Sequence, residues 1–203
     1  RPCPLGEQYF ATSPAAASRP KELELAFEGR EYRFVTDAGV FSGDRLDGGT
    51  ELLLRATLPH LSGRVLDLGC GWGAVGVIAG KACPHCEVVL CDVNERACAL
   101  ARENLRRNGV VAKAFCGDGL GAVEGSFDWI LLNPPIRAGK QAVYALFRDS
   151  ARRLVPGGRL AVVIRKQQGA ASAEVFLETL FQRVSLTLRK KGYHVYLCEE
   201  AGT

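Results

Sequence analysis

No stretch of this 203-residue chain holds enough consecutive apolar residues to cross a bilayer, and methionine is absent altogether. The N-terminus, Arg1-Pro2-Cys3-Pro4, lacks the apolar core of a signal peptide, so a cytoplasmic location is expected. Without methionine, the sequence leaves room for a trimmed start and a missing upstream segment. No short period dominates, which excludes collagen and coiled coil, and no internal repeat is visible. An excess of one charge is also missing: 26 Lys+Arg against 22 Asp+Glu give +4. That balance permits a nucleic-acid partner without arguing for one. With 47% hydrophobic and 24% charged residues, disorder is excluded. A chain of this length buries roughly 70% of the surface its unfolded form exposes, so it needs neither disulfides nor metal for stability. The length suits one domain.

A second Cys-x-x-Cys is missing too. The eight cysteines are Cys3, Cys70, Cys83, Cys86, Cys91, Cys98, Cys116 and Cys198. Most sit inside apolar runs, where a free Cys behaves as a small hydrophobe. Cys83-Pro84-His85-Cys86 resembles the motif of thiol–disulfide oxidoreductases, whose first Cys lies at a helix N-terminus that lowers its pKa. Here the string follows an apolar helix pattern (75–82) and precedes a strand (87–91), so it falls at the wrong end of a helix. A zinc site would need four ligands. The spacing is read as coincidence, and no metal is expected.

What is present is organisation. Residues 1–20 are Pro/Ala/Ser-rich and read as an irregular arm. Residues 23–28 and 31–36 alternate at period two around Gly29-Arg30, a β-hairpin pattern. A Gly-rich loop follows (39–49), and Thr50 is placed to cap a short helix over 51–58. From Arg64 onward strands and helices alternate. Strands are expected at 65–68, 88–91, 112–116, 129–132, 160–165, 184–188 and 193–198. Helices are expected at 74–82, 95–107, 141–154 and 173–181. Asn94 caps the second helix of that run, Asn108-Gly109 closes it, and Pro156-Gly157-Gly158 ends the third. Such alternation means βαβ units and a mainly parallel sheet covered on both faces. The last two strands, joined by Lys190-Lys191-Gly192, must be antiparallel. One domain over 21–203 is expected, with the hairpin and helix in 21–62 and the alternating core in 63–203.

The run from Val65 to Gly76, VLDLGCGWGAVG, ends a strand, spaces three glycines and opens a helix. Glycine allows the tight turn and a close ligand approach, and the helix start offers N–H groups. Gly71-x-Gly73-x-x-Gly76 also satisfies the dinucleotide fingerprint. Against NAD, Gly69-Cys70 intervenes after the strand, and Asp67 would repel a pyrophosphate. Asp67 suits a cationic amino group, which S-adenosylmethionine (SAM) carries. Asp92, at the tip of the next strand, is placed for ribose hydroxyls, a role shared by NAD and SAM folds. In Cys116-Gly117-Asp118-Gly119, Asp118 is placed for the adenine amino group. Val93 beside Asp92, Gly119 beside Asp118, and Asn133 at the end of the fourth core strand join this candidate cofactor set with Gly69, Gly71 and Gly73.

The fourth core strand ends in Asn133-Pro134-Pro135-Ile136. Ligands in open α/β sheets bind at the carboxyl ends of strands beside the switch point. Two prolines remove two N–H donors. What remains accepts: the Asn133 side-chain oxygen and the Pro134 carbonyl, two acceptors suited to a planar –NH2 group.

These strings resemble the successive motifs of class I SAM-dependent N-methyltransferases. Thr36-Asp37-Ala38-Gly39-Val40-Phe41-Ser42, Asp47-Gly48-Gly49-Thr50 and the run Asn133 to Lys140 (NPPIRAGK) are similar to the "methyltransferase small" domain. That domain occurs in bacterial ribosomal RNA guanine-N2 methyltransferases C and G. The resemblance covers about Tyr9 to Cys198. It implies a Rossmann-like α/β fold with a seven-stranded sheet in the order 3-2-1-4-5-7-6. It implies SAM as cofactor, Asn133, Pro134, Pro135 and Ile136 as the catalytic turn, and a guanine of ribosomal RNA, naked or in a subunit, as substrate. Larger members carry a second, cofactor-less copy of the domain, which this chain does not. Many relatives have an aromatic residue where Ile136 stands, so stacking on the base is assigned to Phe41 or Tyr9.

A base inside a helix cannot present its amino group, so the target must be flipped or single-stranded. Arg137 and Lys140 after the catalytic turn, and Arg165-Lys166 after the fifth core strand, are the expected phosphate contacts. Arg189-Lys190-Lys191 is an even choice between contact and plain surface. Arg102, Arg106 and Arg107 share a helix with Glu95 and Glu103 and read as a solvated face. The rival readings are a protein glutamine methyltransferase, a non-catalytic SAM- or RNA-binding module and, distantly, an NAD oxidoreductase.

Overall fold

Period-two alternation builds the first element of the computed structural model, which describes residues 17–38 and 46–202. Strands β1 (Lys21–Phe27) and β2 (Arg30–Thr36) pair antiparallel and bury Phe27, Tyr32 and Phe34. Their turn is Glu28-Gly29, with φ of 49° and 75°, the pair of positive values a two-residue hairpin needs. This corrects the expected centre at Gly29-Arg30, because Arg30 pairs with Phe27 instead.

Helix α1 spans Gly48–Thr57. Its cap is Asp47, not Thr50: one Asp47 carboxylate oxygen accepts from the Thr50 backbone N–H at 2.9 Å. Gly48 and Gly49 enter the first turn, because the Tyr193 ring lies where their Cβ atoms would be.

The alternating core then runs β3 (Arg64–Leu68), α2 (Ala74–Ala82), β4 (Glu87–Asp92), α3 (Glu95–Arg107), β5 (Lys113–Cys116), β6 (Phe127–Leu132), α4 (Lys140–Arg152), β7 (Leu154–Arg165), α5 (Ala170–Leu180), β8 (Phe181–Lys190) and β9 (Tyr193–Ala201). The sheet order is β5-β4-β3-β6-β7-β9-β8. Strands β5 through β7 are parallel, and β9 is antiparallel to both of its neighbours. Central strands read as unbroken apolar runs because both faces are covered. Helices α1, α2 and α3 and the hairpin bury one face; α4 and α5 bury the other. Among the described residues, no helix is long and apolar enough to cross a membrane.

Pro156-Gly157-Gly158 does not end a helix. Helix α4 stops at Arg152, and the triplet lies inside β7 at a register shift, where β6 pairs through Phe127 with Leu154 and through Trp129 with Arg159. Sheet pairing on both sides overrides the local breaker signal.

Asn94 caps α3, its side chain accepting from the Ala97 N–H at 3.0 Å, and Asn108-Gly109 closes that helix. One further residue ties the hairpin to the core. Asn104 is fully buried on α3. Its amide accepts from the Val35 N–H (2.7 Å) and donates to the carbonyls of Val35 (2.9 Å) and Trp72 (2.6 Å). Asn104→Ala leaves those backbone groups without partners, so urea denaturation should show a loss of about 2–4 kcal/mol.

Candidate active site

Strand order reverses about β3, so a crevice opens at the carboxyl ends of β3 and β6. The fold brings the ends of β3, β4, β5, β6 and β7 to this one edge.

The loop after β3 turns on Gly69, Gly71 and Gly73, with φ of 69°, 55° and 95°. Glycine is required twice over at Gly73, where a Cβ would stand 3.2 Å from the Ala101 Cα. Two acids pin the loop. Asp67 accepts from the Gly76 N–H at 2.8 Å, at the first turn of α2. Asp92 accepts from the Gly71 N–H at 2.8 Å and the Asn94 N–H at 2.9 Å. Burial pushes both carboxyls up in pKa, against the pull of these N–H donors. Asp67 reaches about 7, the neighbouring Asp92 charge adding to its burial.

A buried carboxyl beside a half-buried one whose charge it disfavours fits a ligand bringing a cation and hydroxyl donors. The pair does not fit a pyrophosphate, and Asp92 already holds the Gly71 N–H that would bind one. This donor set therefore matches SAM and not NAD. Val93 follows Asp92 in the chain. Asp118 and Gly119 follow β5, with Asp118 at the cap of a short 3-10 turn (Gly119–Ala122).

Asn133 stands at the end of β6. Its Nδ2 donates to the Thr50 hydroxyl oxygen at 3.3 Å, and that hydroxyl donates to the Asp47 carboxylate at 2.9 Å. The relay fixes the amide plane and turns the Asn133 Oδ1 to the other side. Pro134 and Pro135 are buried. The Pro134 carbonyl accepts from the Ile136 N–H at 2.9 Å, which leaves its second lone pair for another donor. Sequence reasoning missed Thr50 in this role. The Asp47-Gly48-Gly49-Thr50 string was in view, but its contact with Asn133 spans 83 residues.

Ile136 is half-buried and lines a cavity of about 160 Å³ together with Lys140, Tyr144, Ile164, Gln168 and Ser172. Lys140 in this lining is exposed and lies 5.4 Å from the Tyr144 ring centroid, and Arg137, next to Ile136 in the chain, is exposed as well. Arg165 and Lys166 are exposed on the next strand end. Arg165 stacks 4.8 Å from the Tyr193 ring centroid, and the Lys166 N–H donates to the Gly192 carbonyl. These bonds bring the Arg189–Lys191 turn to the same edge. Arg102 binds the Ala114 carbonyl, and Arg106 and Arg107 pair with Glu103, so these three cations are spent within the fold. Phe41 and Tyr9 lie outside the described residues.

Sheet, glycine loop and paired acids together define an S-adenosylmethionine-dependent methyltransferase. Residues 31–197 match the model of the Methyltransferase small domain, and the chain belongs to that family. It is 38% identical over 195 residues to the uncharacterised protein YbxB of Bacillus subtilis, covering 94% of this chain and 97% of that one. It is 41% identical over 129 residues to the ribosomal RNA small subunit methyltransferase C of Shigella flexneri, covering 62% of this chain. Among solved structures, the T. thermophilus 16S rRNA N2 methyltransferase RsmC, in complex with AdoMet and guanosine, superposes with a TM-score of 0.82 at 28% identity over 92% of this chain. The chain spans only 38% and 52% of the lengths of these last two proteins.

Proposed function

We propose that the chain methylates the exocyclic N2 amine of a guanine in ribosomal RNA, using one methyltransferase domain over residues 21–203 that follows an arm at 1–20. The observation that carries this reading is the Asn133 amide, held by Thr50 so that its oxygen and the Pro134 carbonyl are the acceptors at the crevice. The relatives named for ribosomal RNA support the substrate class.

S-adenosylmethionine supplies a methyl group on a sulfonium. Asp67 would hold its ammonium, Asp92 with Val93 the ribose and Asp118 with Gly119 the adenine, and Gly69, Gly71 and Gly73 would let it approach the backbone. Asn133 Oδ1 and the Pro134 carbonyl accept both hydrogens of the target –NH2 group. That pulls the nitrogen lone pair out of conjugation and aims it at the methyl. No strong base is needed beforehand, because the nitrogen turns acidic only once it is cationic, and it would then shed one proton to water. The gain is alignment and electrostatics. Pro135 stiffens the turn and Ile136 gives the base an apolar contact, with Phe41 as the stacking partner. Arg137, Lys140, Arg165 and Lys166 hold the phosphates of a flipped or single-stranded target.

The test is transfer of labelled methyl from SAM to unmodified ribosomal RNA, to assembled subunits and to total protein. Label in RNA or subunits, mapping to guanine N2, is the expected result. Label in protein alone would replace this reading with glutamine methylation, which the cations around Ile136 do not favour.

A further inference from the structure

Two cysteines put their thiols under the loop that carries Asp92. Cys98, one turn into α3, is fully buried, and Cys116, at the end of β5, is exposed. Both thiols sit against the same two short segments, 92–93 and 115–116. Cys98 Sγ also lies 3.3 Å from the Asp92 carbonyl oxygen and 3.6 Å from that of Phe115. Cys116 Sγ lies 3.7 Å from the Val93 carbonyl oxygen. Asp92 and Cys116 are partners in the sheet register, and the Gly117 N–H donates to the Asp92 carbonyl at 3.0 Å. The pair therefore brackets the Asp92–Val93 peptide. Among the described residues no third Cys, His, Asp or Glu completes a metal-ligand set there. An exposed thiol on the same peptide segments as a buried one is the arrangement of a reactive cysteine near its resolving partner.

We propose that Cys98 and Cys116 form a peroxide-sensitive dithiol that closes to a disulfide and weakens cofactor binding. The effect on binding rests on the proposed role of Asp92; the disulfide itself does not. Hydrogen peroxide is the oxidant. The Cys116 sulfur attacks it, an S–O bond forms as the O–O bond breaks, and the thiol proton joins the departing hydroxide as one water, giving a sulfenic acid. Cys98 sulfur then attacks the Cys116 sulfur, the S–S bond forms, the S–O bond breaks, and the Cys98 proton leaves with the hydroxide as a second water. Two thiols lose two electrons to one peroxide. A dithiol reductant reverses the change.

Burial and the neighbouring thiol hold the Cys98 pKa up to about 12, so Cys98 stays a neutral donor until its partner is oxidised. On closure the carbonyls of Asp92 and Val93 both lose a thiol donor, and the peptide that aims the Asp92 carboxylate shifts. Cys83 and Cys86 form a second thiol pair beyond α2, but neither touches the crevice residues.

The experiment treats the whole chain with hydrogen peroxide, maps disulfides by mass spectrometry, and measures SAM affinity by calorimetry before and after reduction with dithiothreitol. The expected result is a mapped Cys98–Cys116 disulfide, about tenfold weaker SAM binding, full recovery on reduction, and no peroxide effect on affinity in Cys116→Ser. A sulfinic acid at Cys116 with Cys98 still a free thiol would overturn the proposal. So would the disulfide with unchanged affinity, or an undiminished peroxide effect in Cys116→Ser. Failure of the reduced protein to bind SAM would sink the cofactor assignment, while the mapped disulfide would still decide the thiol pair.

Discussion

Asn133→Ala lowers methyl transfer by about 10²–10³-fold while SAM binds with little change; this is the expected result if the amide oxygen aligns the target nitrogen. The side chain is only half-buried and sits at a strand end, so the protein folds without it. What disappears is one of two acceptors for the –NH2 group, leaving the Pro134 carbonyl alone. Single-turnover transfer to RNA and calorimetry with SAM separate the two effects. Parallel losses in both would show that Asn133 acts on the cofactor instead. Thr50→Val supplies the graded control. It keeps the shape and removes the hydroxyl that accepts from Asn133 Nδ2, so the amide gains freedom to rotate. Its loss is expected at about tenfold, because the acceptor remains but is no longer held.

Asp67→Asn is expected to weaken SAM binding by about a hundredfold and to raise the melting temperature of the protein without cofactor. Both follow from a carboxyl that burial, first, and the Asp92 charge, second, push up to about 7. In the unfolded chain the group ionises near 3.8. Between those values the folded state binds a proton that the unfolded state has released. Stability therefore falls as pH rises through that window. Asn keeps an acceptor for the Gly76 N–H and never ionises, so its advantage should grow from pH 5 to pH 8. Thermal melts at both values check the sign. Cofactor binding runs the other way. An ammonium favours the ionised carboxylate, so wild-type SAM affinity should drop by up to about tenfold per unit as pH falls below about 7. A pH-independent affinity would remove Asp67 from the ammonium site.

Much of the crevice was legible because its constraints are local. Gly69, Gly71 and Gly73 take positive φ, Asn94 caps its helix through a neighbour three residues on, and Lys191-Gly192 turns the last hairpin. The Asp67 and Asp92 positions follow from strand ends alone. What was not legible depends on contacts far apart in the chain. Asp47 and Thr50 are both competent caps three residues apart. The choice is made by the Tyr193 ring seated on Gly48 and Gly49, and no local pattern carries it. Pro156-Gly157-Gly158 reads as punctuation until β6 pairs before and after it and β9 joins from Arg159 onward. Asn104 was within reach: it falls on the buried stripe of α3 with Ala97, Ala101 and Leu105, and a polar side chain there must answer to something.

Strand β9 comes after every other strand in sequence, yet it lies inside the sheet, between β7 and β8. During synthesis, then, β8 has no partner to join until β9 has been made. Until that moment Leu186, Leu188 and the far side of β7 present unpaired backbone to the surroundings. Arg165 also waits, since Tyr193 at the start of β9 supplies the ring beneath it. The cationic edge is thus assembled last, and a half-made chain carries the cofactor loop before that edge is complete.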